Sequence, residues 1–330
     1  MSAAARSPEG ERSQWWRSAV AMLHPYVDRG ARSPLELYVA GRGPRVRAEL
    51  ASGHACPLHL LRGAFVFAEL PGTVGSVRIE SPTLSFARFA QEVVEEELAG
   101  GIDVVQARAL LLDYGYELCG SYARDALAPL KVECHYFLNP TITPRDLSAW
   151  CGALYRYRHK RRAEACALEV LEGSASPMET LHAIVLSSGP ERGGMALGRP
   201  LLNEQLRVDP AERWALNCPS MRPDLFFPEL NLAIEHLGRK HGSGVAYEED
   251  AAREQVYAAL GIALFTTTRR DMETPRSYDL FLRRLIHRLG KERGRSLERK
   301  LLERLNDPVV TRARWEMVDI LTSKGDGRPV

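Results

Sequence analysis

RPDLFFPELNLAIEHLGRKH, residues 222–241, holds two short apolar runs parted by a proline and an asparagine, with an aspartate ahead of the first run and a glutamate inside the second. DLFF and NLAIEHL carry the branched and aromatic side chains that suit strands, and the segment from Pro228 to Asn231 has turn chemistry, so the stretch reads as a β-hairpin. Alternation along the second strand groups Ala233, Glu235 and Leu237 on one face and Leu232, Ile234 and His236 on the other. Asp224 lies on the preceding strand, where twist or splay at the edge lets its carboxylate approach that of Glu235. Two convergent carboxylates are a means of holding a hard cation such as magnesium, which polarises a phosphate and activates water. The structural alternative has Asp224 capping a turn and Glu235 pairing with Arg239 or Lys240. His241, and the pair Asp250 and Arg253 three apart on the following helix, add polar groups near the same strand end.

Working outward, SPMETLHAIVLSS begins a helix, EQLRV reads as a strand, and the hairpin follows. EEDAAREQVYAAL is then a helix closed by Gly261, and IALFTTT a last strand. The order is helix, three strands, helix, strand. Ser176, Pro177 and Glu179 form a capping-box pattern at the first helix, which accounts for Glu179 by itself; a role in chemistry is an additional claim.

The remaining chain divides by pattern. Residues 1–32 read as a tail and leading helix, and 33–150 as a mixed domain in which GAFVFAEL and GSVRIES are strand-like and FARFAQEVVEEELA is helical. Residues 151–173 read as one basic connecting helix ending at Gly173, 174–290 as the domain holding the hairpin, and 291–330 as a basic C-terminal helix and tail. The basic run RYRHKRR offers Arg158, Lys160, Arg161 and Arg162 as contacts for a phosphate backbone, against the alternative of a solvated helix face.

Of the 330 residues 45% are hydrophobic and 26% charged, the composition of a globular chain. No stretch approaches the roughly 20 apolar residues of a membrane span, and the N-terminus lacks the apolar core of a secretory signal, which predicts a cytoplasmic protein. Six cysteines without a C-x-x-C pair suggest neither a zinc ribbon nor a disulfide framework.

The ordered set SPMET, RPDLFFPELNLAIEHLGRKH and DAAREQVYAALGIALFTTTRRDM resembles the small endonuclease-like domains related to very-short-patch-repair endonucleases, within the PD-(D/E)XK nuclease superfamily. The family pattern has an acid on the first helix, filled here by Glu179, and an Arg-x-Asp strand, filled by Arg222 and Asp224. A strand with Glu-x-Asp-Gly-x-x-His follows, matched by Glu235, Gly238 and His241, then a helix with Asp-x-x-Arg, matched by Asp250 and Arg253 before Gly261. Leu237 departs from the pattern, standing where the family carries aspartate and the wider superfamily its lysine. The N-terminal segments RIESPTLSFARFA and YELCGSYA resemble the non-nuclease parts of proteins that pair such domains with abortive-infection-type antitoxin modules.

The resemblance implies an α/β fold with a restriction-endonuclease-like αβββαβ core, a mixed sheet flanked by helices, beside a separate N-terminal mixed α/β domain. It implies magnesium-dependent hydrolysis of DNA phosphodiester bonds in a defence or repair setting. Asp224 and Glu235 would hold the metal, Glu179 would assist through the metal or a water, and His241 would serve as acid or base. Arg253, with Asp250, would support the site, and Lys240 would reach in from the strand end in place of the missing lysine. Leu237 keeps a second reading open: a nuclease-derived module that binds DNA or a protein partner without cleaving, as an antitoxin or regulator in a toxin–antitoxin or phage-defence locus.

Overall fold

The computed structural model describes residues 35–39, 47–48, 51–55, 63–69, 76–124, 134–207, 220–237 and 254–323. The two expected tails, and His241, Lys240, Asp250 and Arg253, lie outside the described residues.

The chain is mixed α/β. Strands β1 (Leu35–Val39), β2 (Arg47–Ala48) and β3 (Ala51–Ala55) form one small sheet, and β4 (Phe65–Glu69) and β5 (Ser76–Glu80) an antiparallel pair made from the expected GAFVFAEL and GSVRIES runs. Helix α1 (Pro82–Ala99) starts where Ser81 Oγ accepts from Leu84 N and stops at the left-handed Gly100; α2 (Val104–Cys119) starts at a full capping box between Asp103 and Gln106. A short hairpin of β6 (Tyr122–Arg124) and β7 (Cys134–Tyr136) follows, then α3 (Pro144–Ala153), α4 (Lys160–Ala167) and α5 (Pro177–Ser187).

The principal sheet has four strands in the order β13-β12-β11-β8, built from β8 (Leu201–Leu202), β11 (Leu225–Phe227), β12 (Leu232–Leu237) and β13 (Ala263–Thr268). β11 is antiparallel to both neighbours, whereas β12 and β13 are parallel. Parallel strands require a crossover, and it includes a helical segment at 254–259 before Gly261, which takes φ +66. β12 is covered on both sides: Leu232 and Ile234 join the cluster that contains α5 and α6 (Pro275–Arg293), while Ala233 packs with Met221, Val256 and Tyr257. This two-sided burial explains why LAI is an unbroken apolar run.

One buried cluster extends from Phe86 to Leu321, so the α layer is shared along the chain. α2 packs against α1, against α5, and against α8 (Pro308–Ser323), which follows α7 (Arg295–Asn306). Among the described residues, no helix is long and apolar enough to cross a membrane.

Three local readings need correction. The basic connecting helix is two helices: α3 ends at Ala153, Arg156 and His159 adopt left-handed φ values of +52 and +59, and α4 begins at Lys160. Burial in this segment falls on Cys151, Leu154, Ala163, Cys166 and Ala167, while Leu168 is 61% exposed. Gly173 is needed for close approach rather than as a helix cap, since at φ +90 a Cβ there would lie 2.4 Å from the Leu202 carbonyl oxygen. EQLRV contributes only β9 (Leu206–Arg207), paired with β10 (Ser220–Met221) outside the principal sheet, where the strand expected from it is supplied by β8. The basic C-terminal segment is likewise not one helix: α6 runs through residue 290 to Arg293, and breaks at Gly294 and Asp307 separate α7 and α8.

Candidate functional site

The hairpin register places Leu225 opposite Ile234, so one step further along Asp224 stands opposite Glu235. Asp224 lies just before β11, and its Oδ2 accepts the His236 backbone N–H at 2.7 Å, extending the pairing of β11 and β12 with a side-chain acceptor. The structural alternative foreseen for Asp224 is a turn cap, whereas the bond it makes is a cross-strand one. Glu235 is buried, and its Oε1 accepts the Tyr257 hydroxyl at 2.7 Å from the crossover helix on the opposite side of the sheet from α5.

The third carboxylate comes from the first turn of α5. Ser176 Oγ accepts the Glu179 N–H at 3.2 Å, as the capping pattern requires, but the reciprocal bond shifts by one residue: Glu179 Oε2 accepts from Ala175 N at 2.8 Å. Its Oε1 accepts the Ser176 hydroxyl at 2.8 Å, and Oε2 also accepts the amide of Asn203 at 2.5 Å. Asn203 follows β8 with φ +51, a left-handed conformation that asparagine tolerates, and its N–H donates to the Asp224 carbonyl at 3.1 Å. Arg222 Nε completes this corner by donating to the Asn203 carbonyl at 2.7 Å. Asn203 thus ties the α5 turn to the strand pair.

Burial first and the negative charge of Asp224 second raise the pKa of Glu179 to about 7, outweighing the donors from Ala175, Ser176 and Asn203 that favour the anion. The folded value lies above the usual 4.5, so the folded state holds this proton more tightly than the unfolded chain does. Stability from Glu179 is therefore fully present below about pH 4.5 and is lost as pH rises through about 7. The loss is about 3 kcal/mol. Glu179→Gln is expected to flatten the fall in urea-derived stability between about pH 5 and about pH 8; an unchanged slope would assign the titration to another group.

Leu237, the departure from the family pattern, ends β12 opposite Thr268 and is half-buried on the face that alternation shares with Glu235. Among the described residues, no group of three or more His, Cys, Asp or Glu side chains is placed to hold a metal ion. A cleft of about 740 Å³ runs along the edge strand β13 and is lined by Tyr257, Phe265, Thr266, Arg284 and Arg288 among others. Tyr257 therefore connects this cleft to Glu235.

The basic run is largely engaged within the chain. Arg158 pairs with Glu95 at 2.8 Å, Arg162 pairs with Glu97, and Lys160 Nζ donates to the Gly152 and Leu154 carbonyls at the end of α3. Arg161 is exposed.

Sequence reading did not find Asn203 or Tyr257. For Asn203 the available signal was an asparagine directly after an apolar pair; Tyr257 looks like any aromatic on an amphipathic helix. Comparison with protein-family models, with curated proteins and with solved structures gave no match.

Proposed function

We propose that the chain is a magnesium-dependent nuclease acting on DNA, with a restriction-endonuclease-like core, in a repair or phage-defence setting. The observation that carries this reading is the meeting of Asp224, opposite Glu235 at the end of the β11–β12 pair, with the Glu179 turn of α5, close enough for Asp224 to shift the Glu179 proton equilibrium. The succession α5, β8, β11, β12, helix 254–259, β13, with three antiparallel strands and a fourth parallel to the third, supports it.

The donor set suits magnesium in one specific respect. That ion keeps several waters and is commonly held by one or two carboxylates plus substrate phosphate, so an opposed pair suffices where the described residues hold no cage of three. Asp224 and Glu235 would hold it. When bound, magnesium polarises the phosphate and lowers the pKa of a coordinated water. Tyr257 orients Glu235 by its hydroxyl bond, and the His236 N–H orients Asp224. Glu179, with a pKa of about 7, can exchange a proton near neutral pH at the site's edge. His241 and Lys240 remain the proposed acid/base and substitute cation, and Asp250 and Arg253 the proposed supports.

Leu237 favours a second reading, in which the same scaffold binds DNA or a protein partner, such as the toxin of a toxin–antitoxin pair, without cleaving it. Incubating the protein with plasmid DNA and magnesium separates the two. Metal-dependent nicking or cutting is expected, and binding without any cleavage in magnesium or manganese would replace the first reading by the second.

Backbone contact by the basic run has its own test. Arg158 is 63% exposed in its pair with Glu95, and exposed pairs contribute only about 0–1 kcal/mol, so a phosphate can displace the glutamate. Replacing Arg158 and Arg161 by glutamine is expected to lower the slope of log affinity against log salt by about 2. An unchanged slope would leave Arg158 with the sole task of bracing its loop against α1.

A further inference from the structure

Behind the strand that carries Glu235, three buried polar atoms have no hydrogen-bond partner among the described residues: His182 Nε2 on α5, His236 Nδ1 on β12 and Thr267 Oγ1 on β13. They belong to one neighbourhood. His236 and Thr267 are direct partners in the parallel register, and alternation puts them on the face shared by Leu232, Ile234 and Phe265, which packs on α5 and α6. On that face the fully buried His182 ring lies 5.1 Å from Phe281, and Phe281 lies 5.6 Å from Phe265. His182 is also near enough to His236 for a charge on one to lower the pKa of the other.

Leaving a buried polar group without a partner is costly, and three such groups on adjoining elements point to one common partner. The tautomers define what that partner must be. The Tyr278 hydroxyl lies 3.0 Å from His182 Nδ1 and has no other hydrogen-bond partner among the described residues, so the assignment that satisfies its proton has the phenol donating and Nδ1 accepting. His182 Nε2 then carries the other proton and is a donor, which disqualifies it as a metal ligand. A partner that accepts one hydrogen bond and donates two fits His182 Nε2–H, the His236 Nδ1 lone pair and Thr267 Oγ1 together. About three hydrogen bonds is the usual complement of a buried water.

We propose that His182 Nε2, His236 Nδ1 and Thr267 Oγ1 enclose a binding site for one water molecule, which ties α5 to the ends of β12 and β13. The site goes beyond the nuclease reading. One consequence rests on that reading: because the His236 N–H holds Asp224 Oδ2, the water makes His182 and Thr267 positioning residues for the carboxylate pair.

The experiment is a high-resolution crystal structure of the whole chain, with ¹⁵N NMR of its histidines at neutral pH. One water is expected within about 3.2 Å of all three atoms. His182 and His236 are both expected as neutral rings protonated on Nε2 only. Thr267→Val is expected to shift the His236 Nδ1 resonance and Thr267→Ser to restore it, a response that loss of packing alone would not give. If Thr267→Val does not fold, the wild-type structure and histidine spectra decide. Direct side-chain contacts with no water between them, a ring protonated on Nδ1, or density with the anomalous signal of a transition metal would each overturn the proposal. Failure of the wild type to cleave DNA would end the nuclease reading and leave the water site standing; a cleaving enzyme without the water would do the reverse.

Discussion

Asp224→Asn is expected to reduce magnesium-dependent DNA cleavage by about 10²–10³-fold, the scale on which a preorganised charge-stabilising group acts, while leaving the fold intact. The substitution is isosteric and keeps an oxygen that can accept the His236 N–H, so the β11–β12 pairing survives. What it removes is one of two opposed charges. Asp224 is also a cause of the raised Glu179 pKa, so the Glu179 titration should move down in the same variant, which links the lost activity to this site. Thermal melts give a second readout. Wild type should gain stability with magnesium, by mass action on the folded state, and Asp224→Asn should not. Full cleavage by the variant would sink the assignment of Asp224, whatever else the protein does.

Asp279→Ala is expected to cost about 3–5 kcal/mol, the penalty for stranding a buried charge, and to be the most damaging single change at a distance from the site. Arg314 on α8 is fully buried; its Nε donates to Asp279 Oδ1 at 2.7 Å, and its Nη2 to the Leu305 carbonyl at 3.0 Å and Thr311 Oγ1 at 3.2 Å. Asp279 Oδ2 also accepts the Trp315 indole N–H at 2.7 Å, so one carboxylate joins α6 to two residues of α8. Space around Arg314 is equally constrained, because a Cβ on Gly193 would lie 2.5 Å from its backbone nitrogen. Replacing Arg314 by methionine and Asp279 by leucine together should restore most of the loss, since an apolar pair of similar volume leaves no charge behind. Urea denaturation of the three variants measures this. A loss below about 1 kcal/mol for Asp279→Ala would mean that the guanidinium finds water when its partner is removed.

The hairpin was legible because its signals are local: alternation within seven residues and a proline–asparagine turn, realised as a turn of 3-10 helix followed by left-handed Asn231. The α5 start was legible for the same reason, as Ser176, Pro177 and Glu179 sit within one turn. β8 was not. Two leucines are too short for a period, and only their pairing with β11 makes them a strand. The break between α3 and α4 also escaped, since it rests on lysine capping carbonyls and on two left-handed residues that no spacing rule marks. Within the site the two strand acids could be paired from sequence by register, whereas Asn203 and Tyr257 reach Glu179 and Glu235 from elements 24 and 22 residues away. Such bonds follow from tertiary packing and leave no periodic trace.

The packing of α2 against both α5 and α8 sets a schedule for making the protein. α2 ends at Cys119 and α8 at Ser323, so about 200 residues must be synthesised between the first of these helices and the last. At roughly 5–20 residues per second that is on the order of 10–40 seconds during which α2 has left the ribosome without the α8 surface it will pack against. The α1–α2 pair must remain soluble through that interval. A chaperone that binds nascent apolar helices would therefore find its longest opportunity on the first half of this chain, well before the strands bearing Asp224 and Glu235 exist.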